Sequence, residues 1–289
     1  MENLMTLDDD KNTIDDLFHR SLIFRNSKEF QDFIRFLGKI FHYSHYNAML
    51  VYLQNRNVKY FGTRAYWKKT FNRKVDENAR PYIILVPFGP ATLVYDVMET
   101  RGELSPQEFI SKGLQGELFQ VNGYLPAELY VAIKYSLAEY NILVKECGMP
   151  VNKGGRTYNG KDGKTIIEIS ESFSPEQAFS TLIHELAHNF LGHLGEKTLI
   201  KKSVYTKGEK KGKPKVETIR IPGRSVDFDI REIEAEAVSY LICSRWNLES
   251  FVEKYIGSHI TEERFKKISP EIIIKTADKI EDYFLKKFK

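Results

Sequence analysis

The stretch SPEQAFSTLIHELAHNFLGH, residues 174–193, combines a helix start with two histidines four positions apart. Ser174-Pro175-Glu176-Gln177 has the form of a capping box with proline in the first turn, so a helix is expected to begin there. Phe179, Leu182, Ile183, Leu186 and Phe190 recur at helical spacing and give that helix a buried stripe, which Gly192 or Gly195 would end. His184 and His188 then project from one face, placed so that two imidazoles can grip one ion at about 2 Å. Glu185 falls roughly 100° around the helix, beside such an ion rather than on it, which is where a general base is needed.

Two imidazoles leave a metal site short of a protein ligand. His193 follows His188 by five residues and so points about 140° away along a continuous helix. It also misses the HExxHxxGxxH spacing by one position, so a capping role or a contact to a ligand from behind is expected of it. The better source is REIEAEA, residues 231–237, in a helix expected to start near Asp229. Glu232 and Glu236 share a face there: one can bind the ion while the other orients a ligating histidine. Glu232 is assigned as the ligand and Glu236 as the orienting carboxylate, although the sequence also allows the exchange. Glu232 has a plainer role open to it, completing a capping box with Asp229. Glu234 is expected to point the other way, into solvent.

A His2Glu set with one open position suits Zn²⁺. The ion would bring a water's pKa down towards ~7, and Glu185 would take that proton and pass it to a leaving amine. The expected activity is that of a zinc metalloendopeptidase acting on a protein or peptide. Tyr158 is a candidate donor to the oxyanion. The strand expected over 164–170 is a candidate edge for an extended substrate to pair with.

The chain has 289 residues, of which 42% are hydrophobic, enough to bury a core and to exclude disorder throughout. No apolar run approaches the ~18 residues of a membrane span, so no membrane role is expected. The N-terminus, MENLMTLDDDKNTIDD, is acidic and lacks a secretory pattern. Cys147 and Cys243 form no disulfide framework, and a cytoplasmic location is expected. The net charge of +4 is concentrated in 197–224, where ten basic residues face two acidic ones. Such a segment suits a phosphate backbone or simply a hydrated hairpin.

Apolar spacing predicts helices over 27–40 and 44–55, while 81–87 and 91–97 read as short strands joined by a turn at Phe88-Gly89-Pro90. Residues 101–124 read as a connection. Beyond it, helices are expected after Pro126, with Leu129, Ile133, Leu137 and Tyr140 on one face, and after Ser269-Pro270, with Ile273, Ala277, Ile280 and Phe284 on another. The expected fold is α+β. A mixed N-terminal domain (1–110) precedes a mostly helical domain with a small sheet (125–289).

The HELAH helix with the strand before it, and the later REIEAEAVSYLIC (231–243), resemble the zincin-like domain of ArdC-type antirestriction proteins and of ImmA/IrrE metallopeptidases. YSHYNAML (43–50), YWKKTF (66–71) and LVYDV (93–97) are similar to the ArdC N-terminal domain. The resemblance implies a single-stranded-DNA-binding domain joined to a gluzincin-like one, of a kind often carried on mobile elements. In that reading Tyr43, Tyr66 and Trp67 would stack on bases, and Lys68 and Lys69 would contact phosphates. Lys201, Lys202, Lys210 and Lys211 of the basic segment would add to them. The chain departs from the family at 75–80 (VDENAR), where a basic, glycine-containing turn is usual, and in its longer basic insertion at 197–224. The alternative to a peptidase is an antirestriction protein that binds single-stranded DNA and uses its metal structurally.

Overall fold

The computed structural model describes residues 27–40, 42–86, 89, 91–110, 123–150, 154–161, 163–204, 208, 211–248 and 267–288, with the side chains of 27, 202 and 203 outside the description. The chain is mixed α and β, its strands gathered in small sheets. The described residues fall into two compact units, one within 32–110 and the other within 123–288, with 27–31 grouped with the second.

The first unit is built on most of α1 (Ser27–Lys39), from residue 32 onward, and on α2 (His45–Gln54), the two helices their apolar spacing predicts. Phe33 and Phe36 pack against Tyr52 with ring centroids 5.2 and 5.1 Å apart. Strand β1 (Phe61–Gly62), helix α3 (Arg64–Phe71), β2 (Lys74–Val75), β3 (Tyr82–Ile84), β4 (Thr92–Asp96) and β5 (Thr100–Arg101) follow. The main sheet runs β1-β4-β3, all antiparallel, and β2 pairs with β5. β3 and β4 are the expected pair of strands, Ile84 lying opposite Thr92; turn residues 87, 88 and 90 lie outside the described ones. At the β3 edge the Asn47 amide bonds both N–H and C=O of Leu85, and the Gln54 amide does the same for Ile83. Two side chains thus occupy backbone groups that would otherwise pair with another strand.

The second unit contains α4 (Ala127–Ser136), β6 (Ile142–Cys147), β7 (Gly155–Asn159), β8 (Thr165–Ser170) and α5 (Pro175–Phe190). After them come β9 (Lys197–Val204), β10 (Pro214–Ile221), α6 (Phe228–Arg245) and α7 (Pro270–Ile280). β8 is the central strand of its sheet, parallel to β6 and antiparallel to β7. This corrects the expectation that 164–170 offers an edge, because both its edges are taken. The outer strands are β6 and β7, and the sequence of β7, GRTYN, has no apolar alternation to betray it. β9 and β10 make an antiparallel pair across the basic segment.

α5 starts as its sequence dictates. The Ser174 hydroxyl accepts from Gln177 N–H, and the Gln177 side chain accepts from Ser174 N–H. The helix ends at Phe190, and Gly192 turns the chain at φ +77°. A Cβ there would come within 2.1 Å of the Pro222 carbonyl oxygen, so only glycine lets the two segments meet. α6 begins at Phe228, with Asp227 rather than Asp229 before it, so no capping box forms with Glu232. Phe179, Leu182, Ile183 and Leu186 of α5 are buried, as are Ala237 and Leu241 of α6 and Ile273, Ala277 and Ile280 of α7. Among the described residues no helix is long and apolar enough to cross a membrane.

Gly192 and Gly195 both have positive φ, but nothing lies within 4 Å of a Cβ built on Gly195. Gly195→Ala should therefore cost only the conformational strain of a left-handed alanine, about 1 kcal/mol. Gly192→Ala adds a collision with backbone and should cost about 3 kcal/mol or more. Urea denaturation of the two variants checks the difference, and equal losses would refute it.

Candidate metal centre

α5 and α6 lie side by side, Ser239 of α6 donating to the Ser180 carbonyl of α5 at 3.2 Å. The contact brings one face of each helix to a common point. His184 Nε2 and His188 Nε2 are 3.1 Å apart, Glu232 Oε2 is 3.6 Å from the first, and Glu232 Oε1 is 3.4 Å from the second. Ligands bonded tetrahedrally to one ion at 2.0–2.1 Å stand about 3.3 Å from each other. The three side chains thus have the spacing that a divalent ion requires, and their donor atoms converge on one point. Of the two carboxylates, Glu232, the one assigned as ligand from the sequence, faces both imidazoles.

Glu236 stands behind His184, its Oε2 2.9 Å from Nδ1. The carboxylate accepts the Nδ1 proton and leaves Nε2 to face Glu232 and His188. His188 is backed differently: its Nδ1 is 2.9 Å from Nδ1 of His193, whose Nε2 is 3.2 Å from Glu234 Oε2. Glu234 in turn takes two hydrogen bonds from the Arg224 guanidinium, at 2.7 and 3.0 Å, and one from Ser269 N–H at 3.2 Å. The expectation that Glu234 is solvated is therefore corrected, since it is fully buried. His193 reaches His188 because the turn at Gly192 folds it back, which helical geometry continued past Phe190 does not describe.

The metal-free proton balance follows from these contacts. Burial opposes protonation of His184, but the carboxylates of Glu232 and Glu236 outweigh it and raise the imidazole well above its ordinary value. His188 is pushed the other way by burial and by the charge of His184. Burial likewise opposes ionisation of Glu232, yet its hydrogen bond from His184 holds it below the usual carboxylate range. These opposed shifts favour the imidazolium form at His184 over His188, so any proton beyond one per ring sits on His184.

Glu185 is buried beside this point, and β7 passes directly over it. A Cβ on Gly155 would lie 3.1 Å from Glu185 Oε1 and 2.6 Å from the Thr181 methyl. A cleft of about 620 Å³ opens between β7 and α6, lined by Gly155, Thr157, Thr181, Phe228 and Arg231 besides the site residues. The strand is tied to the helix by Asn189, whose amide donates to the Glu185 carbonyl at 2.8 Å and to Thr157 Oγ1 at 2.7 Å. Lys197 closes the network with bonds to Asn189, Asn159 and Thr165. Its ammonium is pulled down to about 8 by burial. None of these positions announces itself in the sequence, because each matters only through the sheet–helix contact. Tyr158 is turned away from the ion's place, donating to Glu168 at 2.9 Å, which removes it as an oxyanion donor.

The candidate nucleic-acid residues are scattered in character. Trp67 is fully buried, its indole donating to the Tyr95 carbonyl at 3.0 Å, so it packs the core and cannot stack on a base. Tyr66 is half-buried and stacks on His42 with ring centroids 4.6 Å apart; Tyr43 stacks likewise on Phe61 at 5.1 Å. Lys68 and Lys69 are exposed on α3, and Lys211 is exposed at the turn of the basic hairpin. Lys201 is paired with Glu139 at 2.7 Å. Lys210 and the side chain of Lys202 lie outside the described residues.

No family model and no curated protein matches the chain. Among solved structures it is similar to the Mn(II)-bound crystal structure of the antirestriction ArdC protein from the R388 plasmid. The two share 13% identity at a TM-score of 0.37, over 84% of this chain and 85% of that one.

An ion can bind only after the His184 proton leaves, so uptake of Zn²⁺ should release about one proton near pH 7, and affinity should rise with pH through neutrality. Calorimetry in two buffers of different ionisation enthalpy reads the released proton directly. Uptake without proton release would contradict the balance drawn here.

Proposed function

We propose that the protein is a metal-dependent hydrolase of peptide bonds, with His184, His188 and Glu232 holding the ion and Glu185 as general base. The observation that carries this reading is the convergence of two imidazole nitrogens and one carboxylate, 3.1–3.6 Å apart, beside a buried glutamate. Two neutral imidazoles and one carboxylate suit Zn²⁺. A divalent ion held there supplies Lewis acidity, polarising a carbonyl and making water acidic.

The chain's own groups do the rest. The outer edge of β7 carries no strand among the described residues, so an extended peptide can pair along Gly155–Asn159 and cross the cleft. Gly155 lets that backbone run close above Glu185. Glu185 takes a proton from the attacking water and returns it to the amide nitrogen, so that water and peptide become a carboxylate and an amine. Glu236 keeps His184 oriented throughout.

A second reading is a protein that binds single-stranded DNA in an antirestriction role and uses the metal structurally. The exposed lysines of α3 and the basic β9–β10 hairpin favour it. The role printed for the ArdC structure coincides with this reading, although a likeness at that TM-score adds no weight to it.

The two separate cleanly. Zinc-loaded wild type and Glu185→Gln are compared on a library of unstructured peptides, with metal content measured for both. The peptidase reading expects equal metal and a loss of cleavage of about 10²–10⁴-fold in the variant. A zinc-loaded wild type that cleaves nothing, or a variant that cleaves as well, overturns it. The second reading expects binding of single-stranded DNA that weakens with salt and with Lys→Ala changes across 201–215, and is indifferent to Glu185→Gln.

A further inference from the structure

The buried side chains behind His188 have no part in the proton transfers assigned to the cleft, yet they form a continuous chain from one metal ligand to a guanidinium. We propose that His193, held by Glu234 and Arg224, is a positioning residue that fixes His188 in the tautomer presenting a bare Nε2 to the ion. The proposal rests on the reading of this cleft as a divalent-metal site.

The argument is a count of protons. Only one of the two Nδ1 atoms in the 2.9 Å contact between His188 and His193 can carry hydrogen. Glu234 is held as an anion by two bonds from Arg224 and one from a backbone N–H, so Nε2 of His193 must be the donor in their 3.2 Å contact. Glu234 is already matched by Arg224, and with Nε2 donating to it, Nδ1 of His193 is left to accept, so both ring nitrogens are satisfied. His188 must then donate from Nδ1, which leaves its Nε2 as a lone pair directed at His184 and Glu232. The opposite tautomer would put hydrogen where the ion belongs.

Burial makes the arrangement obligatory. The His193 and Glu234 side chains are 1% and 0% exposed, so water has no access to replace either partner. His184 receives the same service from Glu236 directly. His188 lies near the end of α5, where its Nδ1 meets His193 rather than a carboxylate, and it is served by Glu234 acting through that intervening imidazole.

His193→Phe keeps a ring of similar size and removes the acceptor, while His193→Asn places a carbonyl oxygen near the position of Nδ1. Competition with a chromogenic chelator measures Zn²⁺ affinity in the full chain. His193→Phe should bind about 10–100-fold more weakly, and His193→Asn should recover most of the loss. A second readout is the nitrogen–proton correlation spectrum of the metal-free wild type, in which His188 should carry its proton on Nδ1 and His193 on Nε2. This spectrum decides the matter even where His193→Phe fails to fold. Wild-type affinity in a folded His193→Phe, or a His188 proton on Nε2, overturns the proposal and leaves the peptidase reading standing. A wild type that takes up no Zn²⁺ overturns both.

Discussion

Two imidazole nitrogens that face each other at 3.1 Å, with a carboxylate closing the triangle, are the constraint on which the second unit is organised. Bare lone pairs at that distance repel, and a proton on one ring directed at the other would relieve the repulsion. A cation relieves it better. Each ligand histidine is held by a further acid, the half-buried Glu236 for His184 and the buried Glu234, through His193, for His188. The folding energy that keeps four acids and three histidines together comes from the apolar faces of α5, α6 and α7, which are buried around them.

The same packing explains why β7 belongs to the site. The strand is short and polar and would be a weak edge by itself. Asn189 and Lys197 tie it to α5 through hydrogen bonds that a charged lysine can make only with its ammonium fully satisfied. Gly155 then brings backbone, rather than a side chain, over Glu185. Helix, strand and hairpin are thereby joined at the base of the cleft, and the geometry needed to position a substrate follows from contacts that also stabilise the fold.

Much of this unit was legible in the sequence wherever a local rule applied. The capping box at Ser174 and the apolar spacing of α5 placed His184, Glu185 and His188 on their helix, and the i, i+4 spacing brought Glu232 and Glu236 to one face. Local rules assigned Glu232 as the ligand but left its exchange with Glu236 open, because their spacing is symmetric and only the position of α5 against α6 distinguishes them. They failed for Glu234 for a related reason, while the contact from behind a ligand expected of His193 is the one it makes with His188. A helical wheel ends with the helix, and the turn at Gly192 and the loop carrying Arg224 create the pocket that buries Glu234. Strand β7 was missed because its residues do not alternate, and Trp67 was misassigned because a buried indole and a stacking one look alike in sequence.

X-ray absorption at the zinc edge of the loaded protein tests the central claim most directly. The account predicts a shell of nitrogen and oxygen at about 2.0–2.2 Å with the outer scattering of two imidazoles, reduced to one in His188→Ala. A shell without imidazole scattering, or one unchanged by that substitution, would contradict it.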